Sequence, residues 1–324
     1  MPDANDAKLK RIGQALARLT VGPQASLLLA VSGGPDSMAM LDLVVHGWQG
    51  PVLAATVDHG LRTGSADEAH MVADFCAARG IAHAILQPHE PISGSLQAAA
   101  RSVRYALLHA HADCLGADHV VTAHHADDQL ETIMMRLARG AGVDGLSAVR
   151  ARNGRVIRPM LGFRKAELVQ YCAAQAIPFA TDPSNTSNDF DRVRMRQALA
   201  SFDAVDPLMA ARSASALAEA AEALDWAAAR EAALALVPEP DGVRLTVMDY
   251  PPGLLRRLVV AALQQVEPEI AVRGPALDRL LAQLLAGEQA MIGNVLCRPD
   301  GAGQGWVFRP APPRGGSFSA IAPE

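Results

Sequence analysis

The sequence predicts an α/β fold, a doubly wound parallel sheet, followed by a helical linker and a small α+β C-terminal domain. Three observations predict it. Apolar strands of the buried type alternate with helical segments as far as residue 125. The first of these strands runs straight into a glycine-rich turn, SGGPDS at 32–37. Beyond residue 200 the alternation stops and an alanine-rich helical stretch leads into short strands and helices.

The N-terminal stretch MPDANDAKLKRIGQALARLT reads as a short amphipathic helix and lacks the apolar core of a signal peptide. SLLLAV is then a strand for the middle of a sheet, and SMAMLDLVV after the turn is a helix. PVLAATVDHG gives a second strand ending at Asp58 and His59, with a helix over 65–79, and IAHAILQP gives a third. In SLQAAARSVRYALLHAHADCLG, Leu96, Ala100, Val103, Leu107 and Leu108 recur at helical spacing, and DHVVTAHH supplies a fourth strand. Ligands of such sheets bind beyond the carboxyl ends of the strands. Residues 32–37, 58–62 and 124–131 therefore converge on one crevice.

A chain of 324 residues and 34.1 kDa, half of it apolar, suggests about two domains. No run approaches the roughly 18 apolar residues of a membrane helix, so no membrane partner and a cytoplasmic location are expected. Cys76, Cys114, Cys172 and Cys297 are far apart with no C-x-x-C pair, which argues for buried free thiols over disulfides or structural zinc. Net charge is −5, but residues 150–200 carry nine basic and four acidic side chains and are locally +5, enough for a phosphate-binding face. All ten histidines precede residue 126. His109, His111 and Cys114 lack a second ligand set, and His124 and His125 are adjacent at a strand end where alternate side chains point apart, so a metal cluster is disfavoured.

The turn at 32–37 has the chemistry of a phosphate cradle. Gly33 and Gly34 allow φ > 0 and let backbone N–H groups face an anion at the start of a helix. Ser32 and Ser37 add hydroxyl donors, and Asp36 suits Mg²⁺. No lysine follows the glycines, so this is not a Walker A loop. Further on, AHHADDQLETIMMRL places Asp128 and Glu131 three apart at the start of a helix whose apolar face is Leu130, Ile133, Met134 and Leu137. Both carboxylates can project into the crevice, where they suit either Mg²⁺ or an ammonium group. Asp127 alone fits the helix dipole equally well.

SGGPDS resembles the pyrophosphate loop of the N-type ATP pyrophosphatases, the PP-loop superfamily. Taken with VDHGLR (57–62), AARSVRY (99–105), AHHADDQLET (123–132), RGAGVDGL (139–146), IRPML (157–161) and TDPSN (181–185) followed by FDRVRMR, the chain is similar to the tRNA(Ile)-lysidine synthetases from residue 25 to about 200. The resemblance implies ATP-dependent adenylation of the wobble cytidine in the CAU anticodon of an isoleucine tRNA, then displacement of AMP by lysine. Its cofactors are ATP and Mg²⁺, and its partners are that tRNA and free L-lysine, with a homodimer allowed. It assigns Ser32, Gly33, Gly34, Pro35, Asp36, Ser37, Asp58 and His59 to the nucleotide, with Arg62 nearby, and Asp36 to the metal. Asp36, Arg101, Arg104, Asp128 and Glu131 form the catalytic set, the two arginines offsetting charge on the α phosphate. Asp128 and Glu131 meet the lysine amines, while Arg192, Arg194 and Arg196 are divided between lysine carboxylate and tRNA phosphate. Val193 stands where the family commonly has asparagine.

The expected division is a catalytic domain over 1–205, a helical linker over 206–236 and a C-terminal domain over 237–324 that can contact tRNA through Arg256, Arg257, Arg298 and Arg309. The family also includes members with two appended C-terminal domains, of which only the first is visible here. Two rival functions are a tRNA thiolase of the same superfamily, which typically needs paired cysteines, and a catalytically inactive nucleotide-dependent tRNA-binding module.

Overall fold

The computed structural model describes residues 4–60, 64–88, 96–180, 191–202, 204–272, 274–301 and 305–312. It contains two compact units, Met1–Ala218 and Glu219–Glu324. In chain order the first holds α1 (Ala4–Leu19), β1 (Leu27–Ala30), α2 (Pro35–Gly47), β2 (Val52–Val57), α3 (Ser65–Ala77), β3 (Ala82–Leu86), α4 (Leu96–Leu115) and β4 (His119–Val121). It continues with α5 (Ala126–Leu137), α6 (Val143–Leu146), β5 (Arg152–Asn153), β6 (Val156–Ile157), a 3₁₀ turn (Pro159–Gly162), α7 (Lys165–Ala174) and α8 (Asp191–Ala200). Helix α9 (Pro207–Ala235) leads into the second unit, which holds β7 (Leu236–Glu239), β8 (Gly242–Leu245), α10 (Pro252–Val266), α11 (Gly274–Leu285), β9 (Ala290–Ile292), β10 (Val295–Pro299) and β11 (Trp306–Pro310).

The first sheet has the order β3-β2-β1-β4-β6-β5. Pairing is parallel from β3 through β6, with Leu29 facing both Ala54 and Val121. The parallel expectation fails at one edge, where the two-residue β5 runs antiparallel to β6. A tight hairpin needs no crossover helix, so it can finish a sheet in two residues per strand. The chain leaves β1 toward β2 and β3, then returns to place β4 on the other side, so the topological switch lies between β1 and β4. The sheet centre is apolar because it is covered on both faces: Leu27, Leu29, Met38, Leu41 and Val121 pack on one side, and Leu28, Ala55, Leu108 and Val120 on the other.

β4 ends at Val121, so Thr122 to His125 are strand-exit backbone and not the continued strand the sequence suggests. Leu137 is 55% exposed, which shortens the apolar face expected of α5. Of the four free thiols, Cys76, Cys172 and Cys297 are buried, while Cys114 is exposed against expectation. Along α9 the buried residues Ala210, Ala214, Ala221 and Ala228 form one stripe at spacings of four and seven. The second unit packs α10 and α11 on the antiparallel sheet β7-β8-β11-β10-β9, with Trp306, Phe308, Leu258 and Leu280 at its centre. No described helix is long and apolar enough to cross a membrane.

Candidate active site

The turn after β1 is built by local backbone chemistry. Gly33 adopts φ +83°, a left-handed conformation that strains any side chain, whereas Gly34 is extended at φ −74°, so only the first glycine has the expected positive φ. Pro35 opens α2, where its missing N–H costs nothing. Ser37 Oγ accepts the Ser32 amide at 3.1 Å and donates to the Gly34 carbonyl at 3.0 Å, closing the loop on itself. The Gly33 carbonyl is held by the Ala180 amide at 2.9 Å, and the buried Cys172 thiol reaches the Pro35 carbonyl.

A cleft of about 690 Å³ lies over the switch point. Of the residues expected from the sequence, Ser32, Gly34, Asp36, Ser37, Asp58, His59, Arg101, Arg104, Asp128 and Arg192 line it. Gly33, with its positive φ, and Pro35, at the start of α2, shape the loop without lining the cleft. The cleft also takes His124, which the sequence reading placed at the crevice without a role, and Thr56, Ser65, Glu68 and Thr122, which it left out of the site. Residues 61–63 and 181–190, with Arg62 and the TDPSN motif, lie outside the described residues.

Asp58, at the end of β2, accepts the Gly60 amide at 2.9 Å and the Gln87 amide group at 3.3 Å. The Gly60 amide and the Ser65 hydroxyl hold its carboxyl below the usual range, against burial. Burial and then the Arg104 charge push His59 down, and its Nδ1 is buried without a hydrogen-bond partner among the described residues. The Arg101 and Arg104 guanidiniums lie 5.1 and 5.4 Å from the Tyr105 ring centre. Burial lowers the pKa of Arg104.

The two adjacent histidines have opposite environments, because His125 is extended (φ −123°, ψ −179°) and their side chains diverge. His124 faces the cleft with Nδ1 3.0 Å from Thr122 Oγ1. Burial drives its pKa down to about 3, Asp128 opposing and Arg158, Arg101 and Arg104 assisting, so it is a neutral imidazole. His125 is 5% exposed and points into a group of carboxylates. Burial lowers its pKa, but Asp127, Asp36 and Asp128 outweigh burial and hold it up at about 10.

Asp128 Oδ2 accepts the His125 amide at 3.0 Å, capping α5, and its Oδ1 lies 3.4 Å from Arg192. Glu131 does not reach the cleft, contrary to the sequence expectation. Its side chain is 6% exposed and is taken up by Arg192 Nε at 3.2 Å and Arg196 Nε at 2.6 Å. Three residues along a helix leave the two side chains only about 60° apart around the axis and about 4.5 Å apart along it, so it is the pairing with Arg192 and Arg196 of α8 that draws Glu131 away from the cleft. The +5 stretch is likewise not one surface: Arg158 is buried and donates to the Arg150 carbonyl, Arg155 pairs with Asp113, and Arg194 is exposed on α8.

Asp36 Oδ1 is buried with no hydrogen-bond partner among the described residues. With Asp128 and the Ser32 and Ser37 hydroxyls it offers hard oxygens, a donor set that fits Mg²⁺.

A glycine loop at the switch point of a parallel sheet, with a carboxylate in the first turn after it, defines a PP-loop ATP-using protein, and a PP-loop domain profile matches residues 6–202. Over 318 residues the chain is 36% identical to a tRNA(Ile)-lysidine synthase of Zymomonas mobilis, covering 95% of each. It is 42% identical over 300 residues to that of Novosphingobium aromaticivorans, covering 90% of each. The chain belongs to the tRNA(Ile)-lysidine synthase family, enzymes of the ligase type. A U34-tRNA thiolase from Methanococcus maripaludis shares the fold, with a TM-score of 0.54 at 17% identity over 64% of this chain and 76% of that one.

Proposed function

We propose that the chain adenylates the wobble cytidine of an isoleucine tRNA with a CAU anticodon and joins lysine to it. The observation that carries this reading is the meeting, in one cleft, of the phosphate loop with Asp128 on α5. The cytidine O2 attacks the α phosphorus of ATP and pyrophosphate leaves. The lysine ε-amine then attacks C2, AMP leaves with that oxygen, and the amine loses its protons to solvent or a nearby base.

The loop amides and the Ser32 hydroxyl bind the departing pyrophosphate, the anion a helix N-terminus favours, while Ser37 holds the loop in shape through its bond to the Gly34 carbonyl. Asp36, with Asp128 near it, would hold Mg²⁺, which supplies charge neutralisation on the phosphates. Arg101 and Arg104 offset the charge growing on the α phosphate, and Asp58 and His59 border the adenosine end. Asp128, at the rim, orients the lysine ammonium. Glu131 acts from behind by setting Arg192 and Arg196, which face the lysine carboxylate or the tRNA backbone. Among the described residues no cysteine lines the cleft, and the sequence has no C-x-x-C pair, which argues against sulfur transfer. AMP formation from ATP, measured with the CAU-bearing tRNA and with a tRNA of another anticodon, tests the reading. AMP only with the former supports it, and equal AMP with both overturns it.

A further inference from the structure

We propose that His125 is a positioning residue of the nucleotide site, fixing the Asp36 carboxylate relative to Asp128. The inference rests on the reading of Asp36 given above. His125 is 5% exposed and is not among the residues lining the cleft, so the role proposed for it runs through its neighbours. Its Nε2 lies 3.5 Å from Asp36 Oδ2 and 3.6 Å from Asp128 Oδ2, and its Nδ1 lies 3.5 Å from Asp127 Oδ2. One ring thus stands among three carboxylates from two helices, α2 and α5.

The backbone that carries the ring and the neighbouring Asp127 carboxylate are anchored, although the ring's own Nδ1 has no hydrogen-bond partner among the described residues. The His125 amide is bound by Asp128 at 3.0 Å, the next amide, of Ala126, donates to the Phe163 carbonyl at 2.9 Å, and Asp127 accepts the Lys165 amide at 2.7 Å. Among the described residues Asp36 has no such backbone restraint. Its Oδ2 faces His125, and its Oδ1 has no hydrogen-bond partner among the described residues. The ring therefore takes one oxygen of Asp36, leaves the other for a ligand, and transmits the fixed position of α5 to the start of α2. Without it, the carboxylates of Asp36, Asp127 and Asp128 face one another with nothing between them, and Asp36 loses its orientation.

The test uses the full chain with His125→Leu, which removes all three ring contacts, and His125→Gln, which keeps an N–H donor. AMP formation is assayed well below the unfolding midpoint of each variant. The electron paramagnetic resonance spectrum of Mn²⁺ bound with a non-hydrolysable ATP analogue reports on the carboxylate independently of turnover. His125→Leu should lose about 100-fold in kcat with KM for ATP changed by less than about threefold, and His125→Gln should recover roughly tenfold. The Mn²⁺ spectrum of His125→Leu should differ from wild type. If His125→Leu does not fold, a tenfold loss and an altered spectrum in His125→Gln support the proposal. Asp36→Ala run alongside separates the two claims. If it makes AMP normally, the reading of Asp36 falls and this inference with it. If it is inactive while the foldable His125 variants keep wild-type kcat and spectrum, only the inference is overturned.

Discussion

Arg196 Nε lies 2.6 Å from Glu131 Oε1, and that carboxylate is almost fully buried. Arg192 reaches the same group from one turn earlier, so two successive turns of α8 are fastened to one residue of α5. Glu131 holds Arg196 firmly charged, an attraction that burial only partly opposes. The pair couples the helix that follows residues 181–190 to the helix that lines the cleft.

Removing one partner of a buried pair leaves a charge uncompensated. Arg196→Ala should therefore cost about 2 kcal/mol, below the full buried-pair figure because Arg196 is partly exposed and Arg192 remains. Denaturant unfolding measures it. Glu131→Gln should raise the lysine requirement while adenylated tRNA still forms, because the arginines lose their anchor and the loop carboxylate Asp36 is untouched.

Asp36→Ala should abolish AMP formation with little change in unfolding midpoint, since among the described residues the side chain makes only the long contact to His125 and is a quarter exposed. Chelation of Mg²⁺ should mimic it. Calorimetric melting beside an AMP assay decides this, and normal AMP output from the variant would remove the carboxylate from the mechanism.

Asp58 gives a pH dependence with a definite sign. Its folded pKa is depressed, so the stability it contributes is complete above the unfolded aspartate value of 3.8 and is lost as pH falls through the lower folded value. Asp58→Asn should be less stable than wild type at neutral pH and should flatten the acid limb below about pH 4. Urea midpoints from pH 2 to 7 would show the two curves converging toward low pH.

The arginines of the second unit divide in a way that sequence position alone does not reveal. Arg256 pairs with Asp278, Arg257 with Asp225 and Arg309 with Glu239, whereas Arg298 is exposed and in no ion pair among the described residues. If this unit contacts tRNA, Arg298→Glu should weaken binding and reduce the slope of log K against log salt by roughly one. Arg309→Glu should chiefly destabilise the unit. Filter binding across salt concentrations separates the two effects.

Much of this was legible in the chain. The apolar strands, the strand-to-helix glycine turn and the amphipathic α5 follow from local patterns, and their convergence follows from parallel-sheet topology. What was not legible depends on partners distant in sequence. The β5–β6 hairpin is too short to show an alternation, and α7 and α8 have little amphipathic contrast. The charge of residues 150–200 gave no sign that Arg158 is buried or that Arg192 and Arg196 turn inward to Glu131, some 60 residues away. Adjacent histidines at a strand exit did predict divergent side chains, but only the positions of Asp36 and Asp127 distinguish the neutral His124 from the carboxylate-bound His125.

The most direct measurement is transfer of labelled lysine to an isoleucine tRNA bearing CAU, with ATP and Mg²⁺ present. Label should enter that tRNA in step with AMP release, persist when all four cysteines are replaced in a folded variant, and vanish with Asp36→Ala. Label-free tRNA from a folded wild-type chain, or modification that requires a sulfur donor and a cysteine in place of lysine, would contradict the account.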